Sequence, residues 1–292
     1  MNKAYKYRIY PNPEQEILIN KTFGCVRFIY NKMLANRKEV YEQFKDDKGA
    51  LKQQKYLLPA DFKKEFEWLK EVDSLALANA QINLQTAYNN FFRDKSVGFP
   101  RFKSKHHDRK SYTTNNQNGT IRLIDSKTIR LPKLKDVPIK LHRQLPSEAV
   151  IKSATISKTP TGKYYISVLV EYESDIETLI PTPETVLGLD YSSKALFVDS
   201  QANNADYPKF YRKAEEKLKK EQRKLSKRQK GSKNRNKQRR KVAKLHEKVA
   251  NQRKDFLHKL SRADSQCLYS CCNRRLKYAR YGAKSKSGKV HE

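Results

Sequence analysis

The stretch Glu184-Thr-Val-Leu-Gly-Leu-Asp190-Tyr-Ser-Ser-Lys-Ala-Leu-Phe-Val-Asp199 decides how the chain is organised. Val186, Leu187 and Leu189 form a short apolar run of strand type, with Gly188 inside it. A glycine within a strand often marks a close backbone approach. Asp190 ends the run, Ser192 and Ser193 follow as turn formers, and Ala195 to Val198 is a second apolar run. The spacing predicts a β-hairpin that presents one carboxylate. From the residues alone Asp190 reads first as a turn cap. The sharper alternative is a metal-binding carboxylate, of the kind that holds two divalent ions for in-line phosphodiester cleavage. One Asp cannot do that, so the rest of the chain has to decide.

The chain has 292 residues, room for two domains or for one with insertions. Lys and Arg number 63 against 31 Asp and Glu, a net charge of +32. Such a balance calls for a polyanion, nucleic acid first. The 17 Tyr and 12 Phe supply material for cores and for base stacking, which excludes a disordered basic tail. The start, Met1 to Lys6, lacks the apolar core of a signal peptide. No apolar run approaches membrane-spanning length, so no membrane partner is expected. Cys25 stands alone and Cys267, Cys271 and Cys272 cluster, which is no disulfide framework and suits a reducing cytoplasm.

Along the chain, Lys3 to Tyr10 alternates, with Tyr5, Tyr7 and Ile9 opposite Lys6 and Arg8: a half-buried strand with a basic outer face. Asn12, Pro13 and Gln15 predict a helix start. Leu18, Phe23, Val26, Ile29, Tyr30, Met33 and Leu34 continue at helical spacing, which reads as two packed helices broken near Gly24; Asp46 to Gly49 reads as a loop. Asp73 and Ser74 open a helix to Phe92, apolar through Leu77, Leu84, Tyr88 and Phe91 and amide-rich through Asn79, Gln81, Asn83 and Gln85. Exposed amides are ordinarily just solvated, but Asn and Gln also bond adenine bidentately. Val97 to His107 alternates aromatic and basic residues, which suits phosphate contact plus stacking. His106 and His107 have no partners at metal spacing and read as polar loop residues.

From Ser111 to Glu173 the period becomes two, and the runs 120–124, 128–131, 139–142, 151–156 and 163–172 read as strands. Their number and spacing predict a small antiparallel barrel, joined by the N-terminal strand. Pro181 to Pro183 is a stiff linker. Between Lys209 and Lys259 there are 22 Lys or Arg and 5 Asp or Glu, so this stretch supplies +17. Two sparse apolar seams, Ala214, Leu218 and Leu225, then Val242, Leu245, Val249 and Leu260, flank a break at Gly231 to Lys233. The region reads as a helical hairpin with a basic outer strip, too one-signed for a merely solvated face.

These residues resemble the TnpB (OrfB) family of transposon-encoded RNA-guided nucleases and putative transposases. The resemblance rests on Tyr7-Arg8-Ile9-Tyr10-Pro11, Phe66-Glu67-Trp68-Leu69, Phe91-Phe92 ahead of Gly98-Phe99-Pro100-Arg101-Phe102-Lys103, Gly188-Leu189-Asp190-Tyr191-Ser192-Ser193, and the basic hairpin ending Asn251 to Phe256. It implies an α+β multidomain fold. A wedge-like β-barrel is expected at 1–10 and 111–180, a helical recognition insert at 11–110, and a partial RNase H-like (RuvC) segment with the basic hairpin at 184–262. It implies guide RNA and target DNA as partners, with no small-molecule substrate, and Mg²⁺ as the family's cofactor. Asp190 then looks like the first RuvC carboxylate and a weak Mg²⁺ ligand. Implied nucleic-acid contacts are Asn79, Gln81, Thr114 and Asn115 beside the target, Arg101, Lys103 and Lys105 in the loop, and Arg223, Lys227, Arg228, Arg235, Arg239, Arg240, Lys241 and Lys244 on the hairpin.

The departure from the family is equally specific. The Glu of an E-D-L-N motif, the zinc ribbon and the final Asp are not found after Arg262, so no zinc site and no working nuclease are expected. The tail from Ala263 to Glu292 shows no strand pattern. With permitted codon choices, reading Ala263 to Tyr278 one nucleotide later gives an apolar strand of three Val and an Ile, followed at once by Glu-Asp-Leu-Asn. The expectation is a truncated, frameshifted member of the family that binds nucleic acid without cutting it, or one whose missing carboxylates another chain supplies.

Overall fold

The computed structural model describes residues 1–105, 109–173, 186–191, 195–267 and 270–273. The chain divides into two units, Met1–Asp175 and Ile176–Glu292.

The first unit is built on β1 (Asn2–Ile9), whose alternation is as the sequence reads: Tyr7 and Ile9 buried, Tyr5 half-buried, Lys6 exposed. With β2 (Ser111–Asn115), β3 (Arg122–Leu123), β4 (Thr128–Leu131), β5 (Lys135–Lys140), β6 (Val150–Lys158) and β7 (Tyr164–Glu171) it forms one sheet in the order β2-β6-β7-β1-β5-β4-β3. Every pairing in it is antiparallel. β1 lies inside the sheet, paired with β7 from Asn2↔Glu171 to Ile9↔Tyr164 and with β5 at Arg8↔Lys140 and Ile9↔Ile139. Among the described residues no ladder joins the outer strands β2 and β3. The turn at Thr161 and Gly162 is as read: Gly162 takes φ +90° and its N–H donates to Thr159 O at 2.9 Å.

Between β1 and β2 the chain is helical. α1 (Pro13–Phe44) begins with the capping arrangement the sequence announces, Asn12 Oδ1 accepting from Gln15 N–H at 2.8 Å and Gln15 Oε1 from Asn12 N–H at 3.0 Å. Gln15 Nε2 also donates to the carbonyls of Leu134 and Asp136, which ties the helix start to the β4–β5 turn. α1 is one helix, not two. A mid-helix glycine costs only about 1 kcal/mol. The burial of Phe23, Val26, Ile29 and Tyr30 around Gly24 yields about 1.5–3 kcal/mol per side chain, so continuity wins. Asp46 to Gly49 is likewise not all loop. Asp47 Oδ1 accepts from Gly49 and Ala50 N–H and so starts α2 (Lys48–Gln53). α3 (Pro59–Glu65) and a 3-10 turn (Glu67–Glu71) follow, seated by Phe62 and Leu69. α4 (Ser74–Arg93) is capped by Asp73, as read, and buries Ala76, Leu77, Ala80 and Leu84. One continuous core joins β1, α1, α4 and the sheet.

In the second unit, β8 (Val186–Tyr191) and β9 (Phe197–Asp199) pair antiparallel at Leu189↔Asp199, Asp190↔Val198 and Tyr191↔Phe197. The expected turn at Ser192 and Ser193 and the Pro181 to Pro183 linker lie outside the described residues. α5 (Phe210–Ser226) and α6 (Lys233–Cys267) form the hairpin, with Gly231 at φ +88° in the turn. The tail does contribute a strand, which corrects the reading of it as patternless. α6 runs on to Cys267, and β10 (Ser270–Asn273) pairs parallel to β8 from Ser270↔Val186 to Asn273↔Leu189. A parallel pair needs a long crossover, which the α5–α6 hairpin supplies. Such pairing leaves little local mark in a sequence as short as Ser270 to Asn273. No helix among the described residues is long and apolar enough to cross a membrane.

Candidate nucleic-acid interface

The hairpin concentrates charge because its seam is thin. Leu218, Val242 and Val249 are its buried apolar residues. Beside them Gln238, 2% exposed, donates from Nε2 to Glu221 O at 3.0 Å and to Glu221 Oε2 at 2.6 Å. The hydrogen bond from Gln238, then that from Lys224, holds the Glu221 carboxyl below its ordinary pKa. Three of the acids are occupied internally, Glu215 with Lys219, Glu221 with Lys224 and Asp255 with Lys259. That leaves Arg239, Arg240, Lys241 and Lys244 exposed on α6, with no ion pair among the described residues.

On α5, Arg223 and Lys227 share one stripe with Glu216, Lys219, Lys220 and Lys224, lining a shallow groove. Two of the expected contacts have a second employment. Arg235 Nη1 donates to the carbonyls of Leu225 and Arg228, both at 2.8 Å, and Arg228 Nη1 donates to Asn234 O at 3.0 Å. These bonds close the turn and satisfy the carbonyls that end α5.

In the first unit, the loop after α4 is pinned to α1. Asn31 Oδ1 accepts from Lys103 N–H at 2.8 Å and Asn31 Nδ2 donates to Lys103 O at 2.9 Å. Lys103 Nζ lies 4.3 Å from the centroid of the Tyr30 ring. Arg101 and Lys105 are exposed on either side; His106 and His107 lie outside the described residues. The expected target-reading residues separate by the pleat of β2. Thr114, 1% exposed, points inward and donates its hydroxyl to Asp73 Oδ2. Burial, helped by the nearby Asp73 charge, raises the pKa of its inward neighbour Tyr112. Thr114 is therefore an anchor between β2 and the start of α4, out of reach of a base. Asn115 is half-buried and meets Asn79, whose Nδ2 lies 3.4 Å from Asn115 Oδ1 and 2.9 Å from Leu75 O. Gln81 is half-buried on the same helix.

Asp190 is exposed at the end of β8, opposite Val198. Gly188, two residues before it, exchanges hydrogen bonds with Ser200, and a Cβ there would lie 3.4 Å from Ser200 Cβ. The close approach read from this glycine is thus to Ser200. Asp199 is spoken for: Oδ1 accepts from Gln201 and Asn203 N–H, and Oδ2 from Asn203 Nδ2. Burial pushes that carboxyl up, but these hydrogen bonds together outweigh it and hold its pKa low. A pair of divalent ions needs several converging carboxylates. Among the described residues no three His, Cys, Asp or Glu come together to hold a metal, so this donor set does not fit one.

Sequence reasoning missed how the cations of the first unit are held, over aromatic faces: Lys38 over Phe99 and Phe102, and Arg37 over Tyr56 and Tyr88. The alternating loop hinted at the rings, but Lys38 is some sixty positions away in the chain and gave no sign.

Comparisons with known proteins bear on the family and the fold. Residues 1–46 match the family described as "Helix-turn-helix domain" of OrfB/IS605 proteins, and residues 167–271 match "Probable transposase", OrfB/IS605. The first segment is here a strand and one unbroken helix. A "Putative RNA-guided DNA endonuclease" from Streptomyces pristinaespiralis is 36% identical over 270 residues, 89% of this chain and 63% of the relative. InsQ of Escherichia coli K12, described in the same words, is 32% identical over 90% of this chain and 63% of its own length. "Virulence protein VsdF" of Salmonella dublin is 41% identical over 36% of this chain and 96% of its own. The chain thus spans under two thirds of the length of the first two relatives. The fold is similar to that of the protein in a cryo-EM structure of a Cas12f1-sgRNA-target DNA complex, with TM-score 0.55, 10% identity, and coverage of 94% of this chain and 81% of that one.

Proposed function

This chain belongs to the OrfB (TnpB) family, and on that premise we propose that it binds a guide RNA and its target DNA, and that these 292 residues do not cut DNA by themselves. In this reading the seven-stranded sheet is the wedge-like module, 11–110 is the recognition insert, and 184–262 is the RuvC segment. The observation that carries it is the hairpin, where Arg239, Arg240, Lys241 and Lys244 stand exposed and make no ion pair among the described residues, while Asp255 of the same helix is engaged by Lys259. Cations so placed displace the counterions condensed on phosphates, which gives strong and salt-sensitive binding. Asn79, Gln81 and Asn115 are the candidates for reading base edges.

The expected lack of cutting rests on the donor set: among the described residues no group of three His, Cys, Asp or Glu is placed to hold a metal at Asp190, and Asp199 is committed to its turn. The parallel ladder supports the frameshift reading. Its last described pair, Asn273↔Leu189, lies one residue before Asp190. The shifted-frame reading continues from that point with Glu.

The test supplies guide RNA, matched DNA and Mg²⁺. No guide-dependent nicks are expected, with Asp190→Ala unchanged in binding. Nicks that vanish in Asp190→Ala would sink this reading and favour a nuclease completed by parts supplied in trans. Restoring the frame after Arg262 is expected to bring cleavage back.

A further inference from the structure

Three of the exposed aromatic side chains of the first unit are gathered in one place. Phe92 at the end of α4 is 72% exposed, Phe102 53% and Phe99 42%. Phe92 stacks on Tyr88 with centroids 6.2 Å apart and planes at 24°. Phe99 stands edge-on to Tyr88 and to Phe91, at 5.5 and 5.4 Å. Phe102 is joined to this group by one cation: Lys38 Nζ lies 5.3 Å from the Phe99 centroid and 4.8 Å from that of Phe102. A contiguous patch of exposed rings on a soluble surface marks a binding site more often than it marks chance. The carrier loop is fixed, since Asn31 bonds both backbone groups of Lys103 and Pro100 is buried. Arg93, Lys95, Arg101 and Lys105 neighbour these rings in the sequence and are all exposed. The nearby acid, Asp94, is engaged by Ser96 N–H.

We propose that Phe92, Phe99 and Phe102, with Lys38 between the last two, form a stacking platform for an unpaired stretch of the RNA. The proposal rests on the nucleic-acid reading above and names a second mode of contact within it. Bases in a duplex have no free faces to offer, whereas RNA loops and bulges present them, and aromatic residues beside cations take such bases without regard to sequence. A protein partner is disfavoured by the cationic rim. Target DNA opened by guide pairing also offers unpaired bases, and the oligo(dT) probe below separates that source from RNA.

The experiment uses the full chain and fluorescent probes: a short oligo(U), oligo(dT) of equal length, and an RNA duplex. Phe92→Ala with Phe102→Ala is the test variant, because neither ring is buried. Phe102→Trp is the companion that keeps a stacking face. The double variant is expected to lose oligo(U) affinity by about ten- to a hundredfold. Duplex affinity should stay within about twofold, the salt dependence should not change, and Phe102→Trp alone should bind as the parent does. Equal losses on single strand and duplex, or no loss on oligo(U), overturn the platform. Tighter binding of oligo(dT) than oligo(U) by the parent overturns the choice of RNA. A parent protein that binds none of the probes overturns the nucleic-acid reading itself.

Discussion

The two units carry positive charge in opposite ways. In the first, cations lie on rings: Lys6 over Tyr165, Arg8 over Tyr10, Lys32 over Phe66, Arg37 over Tyr88, Lys38 over Phe102 and Lys103 over Tyr30. In the α5–α6 hairpin the cations project from a two-helix seam into solvent. A cation seated on an aromatic face has lost part of its rotamer freedom before any ligand arrives, so it can discriminate by shape. A cation on an open helix face discriminates very little and contributes affinity through counterion release. The first unit is thus equipped to choose, and the second to hold.

The contrast can be broken first at its foundation. Ile29→Ala, in the fully buried middle of α1, should cost the first unit about 2–5 kcal/mol. Trp68, the single tryptophan, belongs to that unit, so its fluorescence in a urea titration follows that unfolding alone. If the whole helical circular dichroism is lost in one transition with the Trp68 signal, and no second transition is left for the hairpin, the two units are not independent and the contrast fails.

The next effect is on binding. Replacing Arg239, Arg240 and Lys241 with Ala should lower the slope of log affinity against log salt by about 2–3 for structured RNA. An unchanged slope would place the phosphate contact elsewhere.

Smaller effects sharpen the account of each unit. Glu221 has a depressed pKa in the folded hairpin, so its stabilising contribution is present above the ordinary carboxylate pKa and is lost as pH falls through the folded value. Gln238→Ala should lower the hairpin's melting temperature and weaken this acid dependence; a variant with the parent's profile would show that the Gln238–Glu221 contact is ornamental. In the first unit, burial pushes the Cys25 thiol up to about 11. The folded state keeps its proton where the unfolded chain has lost it, so stability should decline as pH rises past about 9, above the free thiol range. Native Cys25 should resist alkylation at pH 8, whereas urea-unfolded protein reacts; rapid native labelling would contradict the burial.

Much of this was legible because it is written in local periods. The β1 alternation, the Asn12 and Asp73 caps, the Gly162 turn and the one-signed hairpin are all short-range signals, and the apolar run Val186 to Leu189 lies within β8. The misreadings come from long-range compensation. Gly24 is a helix breaker only if nothing packs beside it, and the side chains around it are core. β10 gains its identity from β8, more than seventy residues earlier in sequence. Thr114 shows an avoidable miss: the strands read from the sequence leave out 111–115, with Thr113 to Asn115 taken as a loop, although a period of two there places Thr114 on the same face as Tyr112, and both are buried. The platform of exposed rings was half legible, since its loop could be read but its lysine on α1 could not.

The position of β1 has a consequence for synthesis. It is an interior strand, yet β5 begins at Lys135 and β7 at Tyr164, so both of its neighbours leave the ribosome long after it does. At translation rates of about 5–20 residues per second, β1 waits on the order of ten to thirty seconds with both edges open. The residues it shows meanwhile are Lys3, Lys6 and Arg8 beside its tyrosines, and like charges on open edges discourage two nascent chains from pairing. The basic face of β1 therefore works against the pairing of nascent chains during translation.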